Sequence, residues 1–208
     1  MSSDGFLRSV ATLAARDPAL GAVVERLGPP PRLSRPPTFQ TLVLLILEQQ
    51  VSLDSARAAY DRLAAAVPEV TPAHLLALDD GQLRACGFSR QKGRYARALA
   101  ARVLEGSLAL GALEMLDDDA VREVLTETPG IGPWTADVFL MNALHRPDVW
   151  PVGDRALRVG TAELLELPIV PTAEELRVLG ERWAPHRSAA THILWHAYLA
   201  ARGRRMPG

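Results

Sequence analysis

Two short segments of the chain carry residue types that could do chemistry. The first is the run Pro129-Gly-Ile-Gly132, followed by Pro133, which favours the first turn of a helix. Glycines without a Cβ let the chain turn sharply and bring backbone N–H groups close to a bulky partner. The N–H groups and the positive dipole end of the next helix would attract an anion such as a DNA phosphate. Taken alone, the same run could be only a tight turn between two helices.

The second segment is the loop Val149-Trp-Pro-Val-Gly-Asp154, which ends in a carboxylate. An ionised carboxylate can stabilise a developing positive charge or deprotonate a water molecule. Aspartate is also a favoured N-cap, so Asp154 could open a helix that begins near Arg155. The two roles are compatible in one side chain.

Both segments, together with three others, resemble the helix-hairpin-helix DNA glycosylase superfamily. Ile46–Ser52 is similar to the family's Gln-rich helix end, and Cys86–Lys92 to its Gly-x-Ser-x-x-Lys segment. The run 183–188, with Trp195 after it, is similar to the family's C-terminal signature. The blocks occur in the family's order over residues 39 to 200, and the branch they resemble most is the bacterial 3-methyladenine DNA glycosylase II branch.

The resemblance implies base excision from double-stranded DNA that contains damaged, chiefly alkylated, bases. The damaged base would be flipped out of the duplex, and Asp154 would be the catalytic carboxylate. Members that also cut the strand place a lysine where this chain has Trp134, and the only lysine here is Lys92. The sequence therefore predicts a monofunctional hydrolase that leaves an abasic site.

Further roles follow from the resemblance. Trp134, Trp195 and Val138 match positions that line the base pocket, although each tryptophan could instead fill the core. Gln50 matches the residue that fills the gap left by the flipped base, although it could also be a surface residue that caps a helix end.

The resemblance also implies contacts with phosphate and with a cation. The expected DNA contacts are the backbone of Gly130 and Gly132, the hydroxyl of Thr135, and the charges of Arg155 and Arg187. The carbonyls of Thr126, Thr128 and Gly130 resemble a site that holds a structural monovalent cation, Na⁺ or K⁺. No cofactor is expected to be required for the reaction.

Apolar residues recur with helical spacing along almost the whole chain, and no alternating strand pattern stands out. Helix-opening signals occur at six capping residues: Ser52, Thr71, Asp79, Ser89, Asp117 and Thr172. The sequence predicts an all-α protein with a buried central helix from Phe39 to Gln50. From the family we expect two helical lobes, 38–146 with the hairpin at 125–136 and 1–37 plus 147–208 with the Asp154 loop. We expect the active site in the cleft between them and no N-terminal β domain.

Bulk properties set wider limits. The net charge of −1 argues mildly against a DNA-binding protein, but affinity depends on how the charge is distributed. One cysteine, Cys86, excludes an internal disulfide and a four-thiolate cluster within this chain. His192 and His196 have a spacing that can bind zinc, but no third ligand is apparent. We expect a cytoplasmic monomer without membrane association.

Two alternatives to alkylated-base excision stay open. One is a glycosylase for oxidised, deaminated or mismatched bases. The other is a non-catalytic helix-hairpin-helix module that binds DNA. Such a module needs the glycine turn, but it has no reason to keep the Asp154 loop and the paired tryptophans.

Overall fold

The structure is a computed structural model that describes residues 1–206, and within this range the regular structure is entirely helical. The α-helices are α1 (Ser3–Arg16), α2 (Pro18–Leu27), α3 (Phe39–Glu48), α4 (Leu53–Ala66), α5 (Pro72–Ala77), α6 (Asp80–Ala85), α7 (Arg90–Leu104), α8 (Asp118–Thr126), α9 (Pro133–Asn142), α10 (Arg155–Leu164), α11 (Ala173–Gly180) and α12 (Arg187–Ala200). Two short 3-10 helices cover Leu110–Met115 and Glu181–Trp183. The predicted all-α class is confirmed.

Local capping chemistry explains where most helices begin. Each of the six capping residues named above accepts a hydrogen bond from a backbone N–H of the helix that it opens. Asp79 and Thr172 form complete capping boxes with Gln82 and Glu175. The predicted helix starts are therefore confirmed. The 3-10 helix Leu110–Met115 was not predicted, and its preceding residue makes no side-chain cap.

The chain forms two compact units. We call Pro36–Phe139 the hairpin unit, and Met1–Arg35 together with the chain from Leu140 onward the terminal unit. The sequence analysis placed residues 140–146 with the hairpin, whereas the structure places them in the terminal unit. Backbone hydrogen bonds explain this difference, because the N–H of Arg35 donates to the carbonyl of Asn142 at 2.9 Å.

The core of the hairpin unit is built around α3. Leu42, Val43, Leu45, Ile46 and Leu47 are each at most 1% exposed. The helix is apolar on most sides because α4 and α7 both pack against it. The buried central helix predicted from the sequence is confirmed, although it ends at Glu48 rather than Gln50.

The core of the terminal unit is built around α12 and two tryptophans. The rings of Trp150 and Trp183 lie 5.2 Å apart between centroids, and both are almost fully buried. Their indole N–H groups are satisfied, by the carbonyl of Leu176 at 2.8 Å and by Asp17 Oδ2 at 2.9 Å. A Cβ at Gly180 would overlap the ring of Trp150, so this position requires glycine. Within the described residues, no helix has the length and the apolar character to cross a membrane.

Candidate functional site

The glycine-rich segment is a hairpin between two helices, as predicted. We use "the hairpin" for residues 125–136. Helix α8 ends at Thr126, and the turn closes with a bond from the Ile131 N–H to the Thr128 carbonyl at 3.0 Å. Pro133 is the first residue of α9. Among the described residues, no carbonyl accepts a bond from the backbone N–H of Gly130 or Gly132. These donors are therefore available to an anion.

The two hairpin glycines have different reasons to be glycine. Gly130 has φ +91°, and a Cβ there would overlap the ring of Tyr95. Its identity is therefore dictated by the fold of the chain. Gly132 has no atom of the chain within 4 Å of the position of a Cβ. Nothing in the chain's own packing requires glycine there, and the position is open to an external partner.

Gln49 holds the hairpin from the end of α3. Its side-chain Nε2 donates to the Gly130 carbonyl at 2.8 Å and to Thr135 Oγ1 at 3.1 Å. Sequence reasoning singled out the Gln-rich segment, but it gave Gln49 no role. This long-range contact could not be inferred from local spacing.

The Gln49 contacts bear on two of the predicted roles. Thr135 is only 1% exposed, and its hydroxyl accepts the bond from Gln49, so the structure does not support a direct contact between that hydroxyl and phosphate. The Gly130 carbonyl accepts a bond from the Gln49 amide, as the Thr128 carbonyl accepts one from the Ile131 N–H, and each oxygen keeps a second lone pair, so the predicted cation set stays a prediction.

Arg102 stabilises the first half of the hairpin. Its Nη1 donates to the Val124 carbonyl at 3.1 Å and to the Thr128 hydroxyl at 2.8 Å, and its Nη2 donates to Glu127 Oε2 at 2.6 Å. A cation at the C-terminal end of α8 interacts favourably with the helix dipole. The sequence showed only one arginine among many, so this role was missed.

The loop after α3 contains the predicted wedge. We call Gln49–Val51 the Gln50 loop. Gln50 is exposed and has φ +59°, a left-handed conformation that is uncommon for a residue other than glycine. Val51 is 45% exposed. The position suits a residue that inserts into a base stack, and the wedge role of Gln50 stays a prediction.

A surface recess of about 320 Å³ lies between the Gln50 loop and the beginning of α7. Lys92 lines this recess, and its Nζ donates to the Leu47 carbonyl at 2.7 Å. Burial lowers the pKa of Lys92 from its ordinary value. The only lysine of the chain therefore binds the last turn of α3.

In the terminal unit, Asp154 is the N-cap of α10. Its Oδ1 accepts a bond from the Leu157 N–H at 2.7 Å and another from Trp195 Nε1 at 3.1 Å. We call these three residues the Asp154 corner. The N-cap role considered from the sequence is confirmed, and Asp154 is only partly buried. Its carboxylate is held in one orientation by donors from two helices.

His192 supports the Asp154 corner from the core side. Its ring lies 5.7 Å from the ring of Trp195, and its Nδ1 is 2.8 Å from the Ser188 carbonyl, to which it donates. Burial lowers the pKa of His192 to about 4, because the charged form would lose its hydration. His192 is therefore a neutral packing partner of Trp195 at neutral pH.

The remaining predicted residues fall into two groups. Trp134 is half-buried in the first turn of α9, and Val138 lies one turn later at 4% exposure. Their role in a base pocket stays a prediction. Arg155 is exposed at the first residue of α10, where its charge can act on DNA.

Arg187 does not support the predicted DNA contact. Its Nε and Nη2 donate to the two carboxylate oxygens of Asp148 at 2.9 and 2.8 Å. A third bond reaches Glu181 at 3.4 Å. Because two carboxylates already surround this guanidinium, it stabilises the beginning of α12 rather than binding phosphate.

Comparisons with known proteins agree with this geometry. The DNA-3-methyladenine glycosylase 1 of Schizosaccharomyces pombe is 31% identical over 161 residues, which cover 76% of this chain and 71% of the relative. The solved structure of the 3-methyladenine DNA glycosylase of the same yeast, in complex with abasic DNA, has a TM-score of 0.85 at 29% identity and covers 90% of this chain and 95% of that one. A DNA-3-methyladenine glycosidase structure from Bacillus halodurans has a TM-score of 0.77 at 35% identity and covers 95% of this chain and 92% of that one.

The family assignment rests on a match that covers more than half of the chain. The model of the HhH-GPD superfamily of base excision DNA repair proteins matches residues 43–186, a range that includes the Gln50 loop, the hairpin and Asp154. The chain belongs to the HhH-GPD superfamily of base excision DNA repair proteins.

Proposed function

We propose that this protein is a DNA glycosylase that flips alkylated bases out of double-stranded DNA and hydrolyses their N-glycosidic bond. The substrates are 3-methyladenine, 7-methylguanine and similar bases, and the product is an abasic site. The observation that carries the proposal is the oriented carboxylate of Asp154, which two donors hold at a partly exposed helix end. The similarity to 3-methyladenine glycosylases supports the choice of substrate.

The chemistry needs only one carboxylate. When the bond between the sugar C1′ and the base nitrogen breaks, its electron pair leaves with the base and positive charge develops on the sugar. An ionised Asp154 stabilises that charge or takes a proton from the attacking water. A base methylated at N3 or N7 of a purine is already cationic, so it departs as a neutral molecule without prior protonation.

The hairpin supplies the grip on the DNA strand in this proposal. The N–H groups of Gly130 and Gly132, with the dipole of α9, bind a phosphate without a basic patch, which agrees with the net charge of −1. The open space at Gly132 supports a close approach of the strand. Trp134 offers a ring face to a cationic base, an interaction of about 0.5–2 kcal/mol.

The proposal includes monofunctional hydrolysis by a cytoplasmic monomer. The hairpin position that would hold a lyase amine is Trp134, and the amine of Lys92 donates to the Leu47 carbonyl. For the structural cation, we keep the carbonyls of Thr126, Thr128 and Gly130. The cation has no step in the reaction.

A panel of duplexes with one lesion each tests the proposed function. Release is scored as abasic sites that alkali converts to strand breaks. We expect release of 3-methyladenine and 7-methylguanine and no release from the undamaged duplex over the same time. Release of 8-oxoguanine, uracil or a mismatched base instead would favour the oxidised- or deaminated-base alternative. Binding to every duplex without any release would favour a non-catalytic module.

Borohydride reduction tests the monofunctional part separately. A lyase forms an imine between an amine and the sugar aldehyde, and borohydride converts this imine to a stable protein–DNA adduct. We expect no adduct while the same reaction releases the base. A trapped adduct would contradict monofunctional hydrolysis but not base excision.

A further inference from the structure

We propose that Gln49 is a positioning residue that couples the Gln50 loop to the hairpin, so that both segments hold one arrangement before DNA binds. The inference rests on the proposed function, because that function assigns a DNA contact to both segments. It adds a role for a residue that does not itself contact the base or the sugar.

The first argument is the geometry of the Gln49 amide. One nitrogen donates to the Gly130 carbonyl at 2.8 Å and to Thr135 Oγ1 at 3.1 Å. These acceptors belong to the glycine turn and to the first turn of α9, so a single side chain fixes both sides of the hairpin. Only the nitrogen of the amide can donate to a carbonyl, so the orientation of the amide is determined by its partners.

The second argument is the weakness of the loop's own backbone bonds. The N–H of Gln49 reaches the Ile46 carbonyl at 3.4 Å, and the N–H of Val51 reaches the Glu48 carbonyl at 3.5 Å. Both are longer than the usual distance of about 2.9 Å. Between them, Gln50 holds a left-handed backbone conformation that is unfavourable for a residue other than glycine.

Side-chain bonds therefore hold the loop where its backbone does not. Lys92 Nζ binds the Leu47 carbonyl at 2.7 Å on the upstream side, and Gln49 binds the hairpin next to Gln50. An unfavourable backbone conformation is kept when several contacts around it hold it in place. Lys92 makes no hydrogen bond to the hairpin among the described contacts. We therefore expect Lys92 to order only the Gln50 loop, and Gln49 to order the Gln50 loop and the hairpin.

Preorganisation is the physical consequence for DNA binding. When the Gln50 loop and the hairpin are already ordered in the free protein, the free energy of DNA binding is not reduced by the cost of ordering them. Without the Gln49 bonds, each segment would have to be ordered separately on binding. We expect about a 10-fold loss of affinity for a duplex with an abasic-site analogue.

The test compares substitutions at two glutamines of the same recess. Gln49→Met and Gln49→Glu remove the amide donor, and Gln91→Met and Gln91→Glu are the matched controls. Gln91 lines the recess too, but its amide donates only to the Tyr95 hydroxyl. Both Glu variants add the same charge to the recess, so a difference between them does not arise from repulsion of DNA in general.

Two readouts decide the outcome. The first is hydrogen–deuterium exchange of segments 49–52 and 128–132 in the free protein. Both Gln49 variants should speed exchange in both segments, Lys92→Met only in 49–52, and the Gln91 variants in neither. The second is affinity for the abasic duplex relative to an intact duplex, which should fall about 10-fold in the Gln49 variants only.

Unchanged exchange in 128–132 for both Gln49 variants would overturn the inference. Equal behaviour of Gln49→Glu and Gln91→Glu in both readouts would overturn it as well, because both variants keep the size of glutamine and add the same charge, and only Gln49→Glu removes the donor to the hairpin. If the wild-type protein released no damaged base, the proposed function would fail, and the exchange result would still decide whether Gln49 couples the two segments.

Discussion

The hairpin and the Asp154 corner offer opposite parts of the polypeptide to a partner. In the hairpin, two threonine side chains are turned inward: Thr135 is 1% exposed, and the Thr128 hydroxyl is bound by Arg102. The hairpin therefore offers backbone N–H groups and the dipole of α9. In the Asp154 corner, the group offered to a partner is a side-chain carboxylate, which Leu157 and Trp195 orient by hydrogen bonds.

This difference determines what a substitution should do. Binding through backbone N–H groups is weakened by adding atoms, because an added Cβ blocks the approach of the partner or forces a rotation of the chain. A site made of one oriented carboxylate is damaged by removing its charge or its donors. Binding and chemistry should therefore be separable by substitutions in the two regions.

Asp154→Asn should give the largest effect. Asparagine keeps an oxygen for the bonds from Leu157 and Trp195, so only the charge is lost. Base release should fall at least about 100-fold, equivalent to about 2.7 kcal/mol in the barrier, while affinity for an abasic duplex persists. Single-turnover kinetics and a binding titration measure the two effects. Unchanged release by this variant would remove Asp154 from the reaction.

Gly130→Ala should lower the stability of the protein by straining the hairpin. Alanine must adopt a φ of +91° and would overlap the Tyr95 ring, so the free energy of unfolding should fall by about 2 kcal/mol. Denaturant unfolding measures it. A variant as stable as the wild type would show that the turn can rearrange, contrary to a rigid hairpin.

His192 should make the stability of the terminal unit depend on pH. Its pKa is about 4 in the folded chain and near the ordinary value of 6.5 when unfolded. As the pH falls from about 6.5 to about 4.5, the unfolded state binds the proton first, so the free energy of unfolding should drop by about 2 kcal/mol. Thermal unfolding across this range should show a flatter profile in His192→Phe than in the wild type. Parallel profiles would contradict a neutral buried His192.

Trp195→Phe should weaken the chemistry without the full loss seen for Asp154→Asn. Phenylalanine keeps an aromatic ring beside His192, although a smaller one, and removes the N–H that orients the carboxylate. We expect base release to fall about 10-fold, or about 1.4 kcal/mol, with little change in affinity. A fall in affinity of the same size would instead point to a role of the ring in holding the base.

Gly132→Ala should have the smallest effect and act on binding alone. The added methyl group meets no atom of the chain, so the free energy of unfolding should change by less than about 0.5 kcal/mol. Affinity for DNA should fall about 5-fold, because the methyl group meets the approaching strand. Gly111→Ala is the control, since Gly111 has equally open space and lies outside the hairpin. Equal affinity of both variants would contradict a close approach at Gly132.

Much of the fold could be read from local chemistry. Capping residues such as Ser89 and Thr172 need only their own backbone neighbours to act, so the predicted helix starts are confirmed. Apolar runs such as the one in α3 are likewise local. The 3-10 helix Leu110–Met115 was missed because a short helix without a side-chain cap leaves no periodic signal.

The sequence by itself determined the order of the helices, the hairpin and the N-cap at Asp154, because these depend on residues close together in the chain. Only the tertiary structure decided that Gln49 and Arg102 support the hairpin, that Arg187 is bound by Asp148, and that Trp195 orients Asp154. The physical reason is distance along the chain. Gln49 and Gly130 are separated by 81 positions in the chain. Their hydrogen bond forms only when packing brings the end of α3 next to the hairpin, and no local sequence pattern encodes it.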